Sequence, residues 1–79
     1  MTRDQFIDTV DAGGDIMLDC RGKHFTICNW NDRPIDIAEQ STGENHSLYD
    51  TAEDLADQYL IDGIPIGKML DQVRITFRS

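Results

Sequence analysis

The feature that most constrains the fold of this chain is a run of alternating apolar residues on each side of the Arg21-Gly22 dipeptide. Alternation with a period of two is typical of strands with one buried face, and a short glycine-containing loop is typical of a hairpin. A two-residue loop brings large apolar side chains together, with Ile16 opposite Ile27 and Leu18 opposite Phe25. A three-residue loop would separate these pairs. The sequence therefore predicts a β-hairpin over residues 15–30 with the two-residue loop.

Helices are predicted from capping residues and from apolar residues at helical spacing. Thr2 and Gln5 match a capping box, and a first helix is expected over residues 3–12. Thr51 or Asp50 is placed to cap a second helix over roughly residues 51–58. A third, short helix is expected after Pro65, because proline suits a first helical turn better than a strand ladder.

Two further strands are predicted outside the hairpin. Residues 35–38 alternate after a turn signal at residues 31–34, and residues 73–78 place Val73, Ile75 and Phe77 on one side. Residues 39–47 have almost no apolar content and are expected to form a solvated loop. The predicted fold class is a single α+β domain over residues 1–79, with a small, mostly antiparallel sheet of about four strands, two to three short helices and the element order α-β-β-β-α-α-β.

This arrangement resembles that of small bacterial proteins of uncharacterised activity. The features that carry the resemblance are the capped first helix, the turn at Arg21-Gly22-Lys23, the acidic second helix, and the segment Leu60-Ile61-Asp62-Gly63-Ile64-Pro65 before the last helix and strand. The resemblance covers most of the chain. It implies the order of the elements and no activity or binding site.

The charge balance disfavours several classes of function. The 79 residues include 15 Asp and Glu against 7 Lys and Arg, for a formal net charge of −8, which repels nucleic acid phosphates and anionic lipid. No run approaches the ~18 apolar residues of a membrane span. The first ten residues carry acids, where a secretory signal carries bases and an apolar stretch. We therefore expect a cytoplasmic protein that binds neither nucleic acid nor membranes.

Four side chains, Cys20, His24, Cys28 and His46, are the candidate soft metal ligands. The preferred register puts Cys20 on the apolar face and Cys28 with His24 on the other, so neither a shared metal site nor a disulfide is expected. No cofactor motif is present. The alternative function is a small enzyme or thiol protein that acts through Cys28 and His24. Against it, positions four apart on a strand are separated by ~13 Å, and His24 is expected to pair with Asp19 across the hairpin.

The strongest functional signal is the distribution of charge. Between Arg33 and Lys68 the chain has eight acidic residues and no lysine or arginine. One interpretation is that this surface only keeps a small protein soluble. The functional interpretation is a non-catalytic binding or regulatory module whose acidic surface docks a basic protein partner. The candidate partner-binding residues are four acids and three aromatic anchors: Asp50, Glu53, Asp54, Asp57, Trp30, Tyr49 and Tyr59.

Overall fold

In the computed structural model, which describes residues 1–30, 33–40 and 42–79, the Arg21-Gly22 step closes a β-hairpin. Its strands are β1 (Gly14–Cys20) and β2 (Lys23–Asn29). Arg21 and Gly22 have φ angles of 54° and 77°, as a two-residue type I′ turn requires. Ile16 lies opposite Ile27 and Leu18 opposite Phe25. The predicted register is confirmed.

The sheet has one strand more than the sequence predicted. The remaining strands are β3 (Ile35–Glu39), β4 (Ser47–Tyr49), β5 (Leu60–Ile61), β6 (Ile64–Pro65) and β7 (Val73–Arg78). Five of the strands form an antiparallel sheet in the order β4-β3-β2-β1-β7, and β5 pairs with β6 in a separate small hairpin. The predicted α+β class and the mostly antiparallel sheet are confirmed.

Two α-helices begin at the residues that the capping patterns indicated. The first, α1 (Arg3–Asp11), has a complete capping box between Thr2 and Gln5. The second, α2 (Ala52–Gln58), has Thr51 as its N-cap, and the Thr51 hydroxyl accepts a hydrogen bond from the Asp54 amide at 3.0 Å. Both helices agree with the predicted ranges to within one residue. Neither is long or apolar enough to cross a membrane, and this holds for every helix in the described part of the chain.

The segment predicted as a third helix after Pro65 is 3₁₀-helical and not α-helical, with two single turns at Ile66–Lys68 and Leu70–Gln72. The residues before it form the β5–β6 hairpin, which was not predicted. Asp62 and Gly63 have φ angles of 53° and 80°, so they close a second type I′ turn. Pro65 is tolerated because both strands of a two-stranded hairpin are edge strands.

Two predictions fall partly outside the described residues. The predicted turn at residues 31–34 includes Asn31 and Asp32, which lie outside them. The predicted loop at residues 39–47 includes Ser41, which also lies outside them. Within the described residues, that loop ends earlier than expected because Ser47 begins β4 and pairs with Ile37.

Both helices pack on one face of the main sheet, and this face holds the core. The buried side chains from the sheet are Ile16, Leu18, Cys20, Phe25, Ile27, Ile35 and Ile37. Those from the rest of the chain include Phe6, Val10, Leu55, Ala56, Tyr59, Ile61, Ile66 and Met69. The side chains on the other face of the sheet are only partly buried or exposed. We call this second face the open face.

The last strand departs from its predicted alternation. Along β7, Arg74 lies opposite Asp19 and Ile75 opposite Leu18, but the register then shifts and Phe77 lies opposite Met17. Thr76 is the extra residue of this β-bulge. Ile75 stays on the core face, whereas Phe77 lies with Met17 on the open face. The prediction that Phe77 shares a face with Ile75 is therefore wrong, because the bulge reverses the alternation between them.

Candidate partner-binding cleft

A cleft of about 400 Å³ lies where the ends of α1 and β2 meet the starts of β3 and α2. Its walls contain three carboxylates, one guanidinium and one indole. The lining residues are Asp11, Asn29, Trp30, Arg33, Ile35, Asp50, Thr51 and Glu53. The cleft thus brings together three of the seven residues predicted from the sequence to bind a partner: Trp30, Asp50 and Glu53.

Local hydrogen bonds fix the walls of this cleft. The Thr51 cap sets the start of α2, so Asp50 comes directly before the cap and Glu53 lies in the first turn of the helix. The Asn29 side-chain amide donates to the Val10 carbonyl oxygen at 2.7 Å. This bond ties the end of β2 to the last turn of α1 and thereby brings Asp11 to the same cleft.

The indole of Trp30 is held at one end and exposed over the rest. Its Nε1 donates to the Asp15 carboxylate at 3.1 Å, and 48% of the residue is exposed. Because the single ring donor is already used, the indole offers a ligand only its apolar surface and π face. Such a surface is suited to a packed apolar group or a cation.

The other acidic candidates lie along α2 outside the cleft. Asp57 forms two hydrogen bonds with the Arg3 guanidinium, at 2.7 and 3.2 Å, and so links α2 to α1. Asp54 is half-buried, and its backbone amide is bonded to the Thr51 cap. Arg3 thus offsets the charge of Asp57, and neither Asp54 nor Asp57 lines the cleft beside Trp30.

The two tyrosines belong to the core side of the sheet. Tyr59 is 1% exposed, and its ring makes edge-to-face contacts with Phe25 and Tyr49 at centroid distances of 6.0 and 6.5 Å. Its hydroxyl donates to the Asn45 carbonyl oxygen at 2.8 Å, and burial raises the pKa of Tyr59 above its ordinary value. Tyr59 is therefore not an exposed anchor, because the end of α2 turns its ring into the core. Tyr49 is half-buried beside it.

Five cleft residues were not among the sequence candidates: Asp11, Asn29, Arg33, Ile35 and Thr51. Asn29 and Arg33 flank Trp30 closely in the chain, so their nearness to the aromatic anchor is a signal that could have found them. Asp11 has no such signal, because its place depends on how α1 packs against β2.

The surroundings of Cys28 on the open face disfavour the alternative function as a thiol protein. Cys28 lies between Asp15 of β1 and Asp36 of β3. Burial raises the pKa of the Cys28 thiol, and the neighbouring Asp15 carboxylate raises it further. These effects oppose formation of the thiolate, which is the reactive form of cysteine. His24 pairs with Asp19, as the sequence predicted.

The four soft ligands are spread over the sheet. Cys20 is buried on the core face, with its Sγ 3.4 Å from Met69 Sδ, whereas Cys28 lies on the open face, so their predicted placement on opposite faces is confirmed. Both are free thiols. His46 pairs with Asp36 at 2.8 Å. Over residues 1–30, 33–40 and 42–79, no group of three or more His, Cys, Asp or Glu side chains is arranged to hold a metal ion.

Fold and site together define a small α+β domain with an acidic cleft beside an exposed indole. No protein-family model, curated protein or solved structure matches the chain. Its function is therefore inferred from the chemistry of its own residues.

Proposed function

We propose that this chain is a non-catalytic binding module that docks a basic protein partner at the acidic cleft. The observation that supports this proposal is the convergence of Asp11, Asp50 and Glu53 around the half-exposed Trp30. Aromatic side chains supply most of the binding energy at many protein interfaces, and complementary charge speeds the encounter. The cleft combines both features in one place.

The expected strength of the interaction follows from the exposure of these groups. A lysine or arginine on an exposed indole contributes about 0.5–1 kcal/mol, and an exposed ion pair contributes about 0–1 kcal/mol. One basic side chain in the cleft is therefore not enough for stable binding. The partner needs several basic residues, and the net charge of −8 should then act mainly on the rate of association.

The proposed location and the classes of partner that are not proposed follow from the net charge and from the two cysteines. We place the protein in the cytoplasm, where reduced cysteines such as Cys20 and Cys28 are normal. Nucleic acid and membranes are not proposed as partners, because the acidic surface repels both. The thiol alternative is set aside because no observation favours an ionised Cys28.

Paired amide substitutions test the function. The partner is captured from an extract of the source cells, and its association rate is then measured against Asp50→Asn/Glu53→Gln at salt concentrations from about 0.05 to 0.5 M. The matched control is Asp4→Asn/Asp71→Asn, which removes the same charge from exposed positions at the start of α1 and in the second 3₁₀ turn.

We expect the cleft variant to associate several-fold more slowly at low salt, with the difference shrinking at high salt, and the control variant to change less. Equal slowing of both variants would mean that net charge acts without the cleft. Unchanged rates in both, or a nucleic acid as the captured partner, would overturn the proposal.

A further inference from the structure

The open face of the sheet carries a row of three apolar side chains and one threonine that crosses four strands. Ala38 lies opposite Thr26, Thr26 opposite Met17, and Met17 opposite Phe77. We call these four residues the open-face stripe. With neighbouring strands about 4.8 Å apart, the stripe is roughly 14 Å long. At its Phe77 end the side chain is 48% exposed.

The β-bulge at Thr76 creates this stripe. Without the extra residue, Phe77 would follow Ile75 onto the core face beneath the helices. Bulges commonly re-aim a side chain at functional surfaces. On the open face Phe77 adds nothing to the buried core, and the solvated face of an antiparallel sheet ordinarily carries polar residues. Phe77 is therefore an exposed ring that contributes little to folding and is available for contact with another molecule.

Charges beside the stripe indicate what covers it. Asp15 and Asp36 flank it on one side, and on the other side Asp19 lies between Arg74 and His24, with which it pairs. A second copy of the chain would bring these same carboxylates, and a further net charge of −8, against the face. Self-association is disfavoured for that reason. A segment with an apolar side and lysine or arginine along one edge is complementary to the stripe and to its acidic border at Asp15 and Asp36.

Trp30 connects this face to the cleft. Its Nε1 is bonded to Asp15, which stands on the open face, while the indole also lines the cleft with Glu53. Asp15 and Met17 are two positions apart on β1, which corresponds to about 7 Å. A lysine or arginine side chain can span that distance. One bound segment that covers the stripe at Met17 can therefore reach Asp15, whose carboxylate also holds the indole that lines the cleft.

We infer that the open-face stripe is the apolar half of the partner surface, and that it binds an amphipathic segment of a basic protein. Large apolar side chains of that segment cover Met17 and Phe77, while its cations pair with Asp15 and the adjoining cleft, since Asp36 already pairs with His46. The inference rests on the proposed function and adds the chemistry of the bound segment to it.

Two designed peptides of about 18 residues provide the test. Both contain the same leucines and lysines: one places all leucines on one side of a helix, and the other is shuffled so that no apolar side exists. Each is titrated into ¹⁵N-labelled protein, and the dissociation constant and the perturbed amide signals are recorded. The variant Phe77→Ser removes the exposed ring from the stripe. Leu60→Ser is the matched control, because Leu60 is also 48% exposed but lies on β5.

We expect the amphipathic peptide to perturb the amides of the open-face stripe and to bind Phe77→Ser about tenfold more weakly. Leu60→Ser should bind as the wild type does, and the shuffled peptide should bind weakly and be insensitive to Phe77→Ser. If the spectrum of Phe77→Ser shows that β7 is perturbed even without peptide, Met17→Gln provides the same test on the neighbouring strand β1.

The outcomes separate this inference from the proposed function. Normal binding to Phe77→Ser and Met17→Gln, together with weaker binding to Asp50→Asn/Glu53→Gln, would overturn the stripe and leave the acidic docking cleft standing. Weaker binding to Phe77→Ser alone would support the stripe and overturn the cleft. Unchanged binding to every variant would overturn both.

Discussion

Truncation of Leu18 to alanine tests the assignment of the two sheet faces. Leu18 is 0% exposed and lies opposite Phe25 on one side and Ile75 on the other. The substitution removes three buried carbon groups at ~0.8 kcal/mol each. The residual cavity adds to this transfer cost, so we expect a loss of about 3–4 kcal/mol, within the range measured for buried leucines. A chain of this length has a total stability of only about 4–12 kcal/mol.

The matched control is Thr26→Ala, because Thr26 lies next to Phe25 in β2 but points to the open face and is only partly buried. Its cost should stay below about 1 kcal/mol, the full span of strand propensities. In urea titrations with a slope near 1 kcal/mol/M, the midpoint should fall by about 3 M for Leu18→Ala and by less than about 1 M for Thr26→Ala. Phe25→Ala should resemble Leu18→Ala. If Thr26→Ala cost as much as Leu18→Ala, the assignment of the faces would be wrong.

Three further predictions concern charge and the thiols. Asp62 accepts a hydrogen bond from Lys23 at 2.9 Å, and that bond and the lysine charge lower the pKa of Asp62. Because the pKa of Asp62 is lower in the folded state, its ionised form stabilises the fold at pH values above the unfolded-state pKa of about 3.9. This stabilisation is lost as the pH falls through the folded-state pKa. Asp62→Asn should therefore melt at a lower temperature than the wild type at pH 7 and at the same temperature near pH 2; a constant difference would contradict this. Cys28 should react with an aromatic disulfide reagent at pH 7 more slowly than glutathione does, since its pKa is raised, and faster reaction would revive the thiol alternative. Duplex DNA should show no measurable binding in fluorescence anisotropy at about 0.15 M salt, and binding there would contradict the electrostatic argument.

Local patterns account for the parts of the fold that the sequence predicts. The Arg21-Gly22 hairpin, the Thr2 capping box and the Thr51 cap depend on residues close together in the chain, so a single sequence is sufficient to find them. The β4 strand depends on a distant partner: Leu48 lies at helical spacing from Ala52, and only pairing with β3 makes it a strand residue. Pairing of this kind leaves no periodic signal in a segment of three residues.

The same distinction applies to the candidate site. Charge patterning placed Asp50 and Glu53 on an acidic surface, and Trp30 was an evident anchor from its chemistry. The cleft itself also requires Asp11, which arrives through the packing of α1 and the bond from Asn29 to Val10. Tyr59 follows Leu55 and Ala56 at helical spacing and is buried with them, so it was proposed as an exposed anchor from its aromatic chemistry alone.

The two faces of the sheet explain how so short a chain can carry a binding surface. A domain of this size has little apolar surface to spare, since it buries only about 60% of what its unfolded chain exposes. Placing both helices on one face concentrates the core there and leaves the other face free of folding constraints. The bulge at Thr76 then moves Phe77 from the first face to the second. Under the proposed function, stability and recognition depend on different side chains of the sheet, and this separation allows Leu18 and Phe77 to be tested independently.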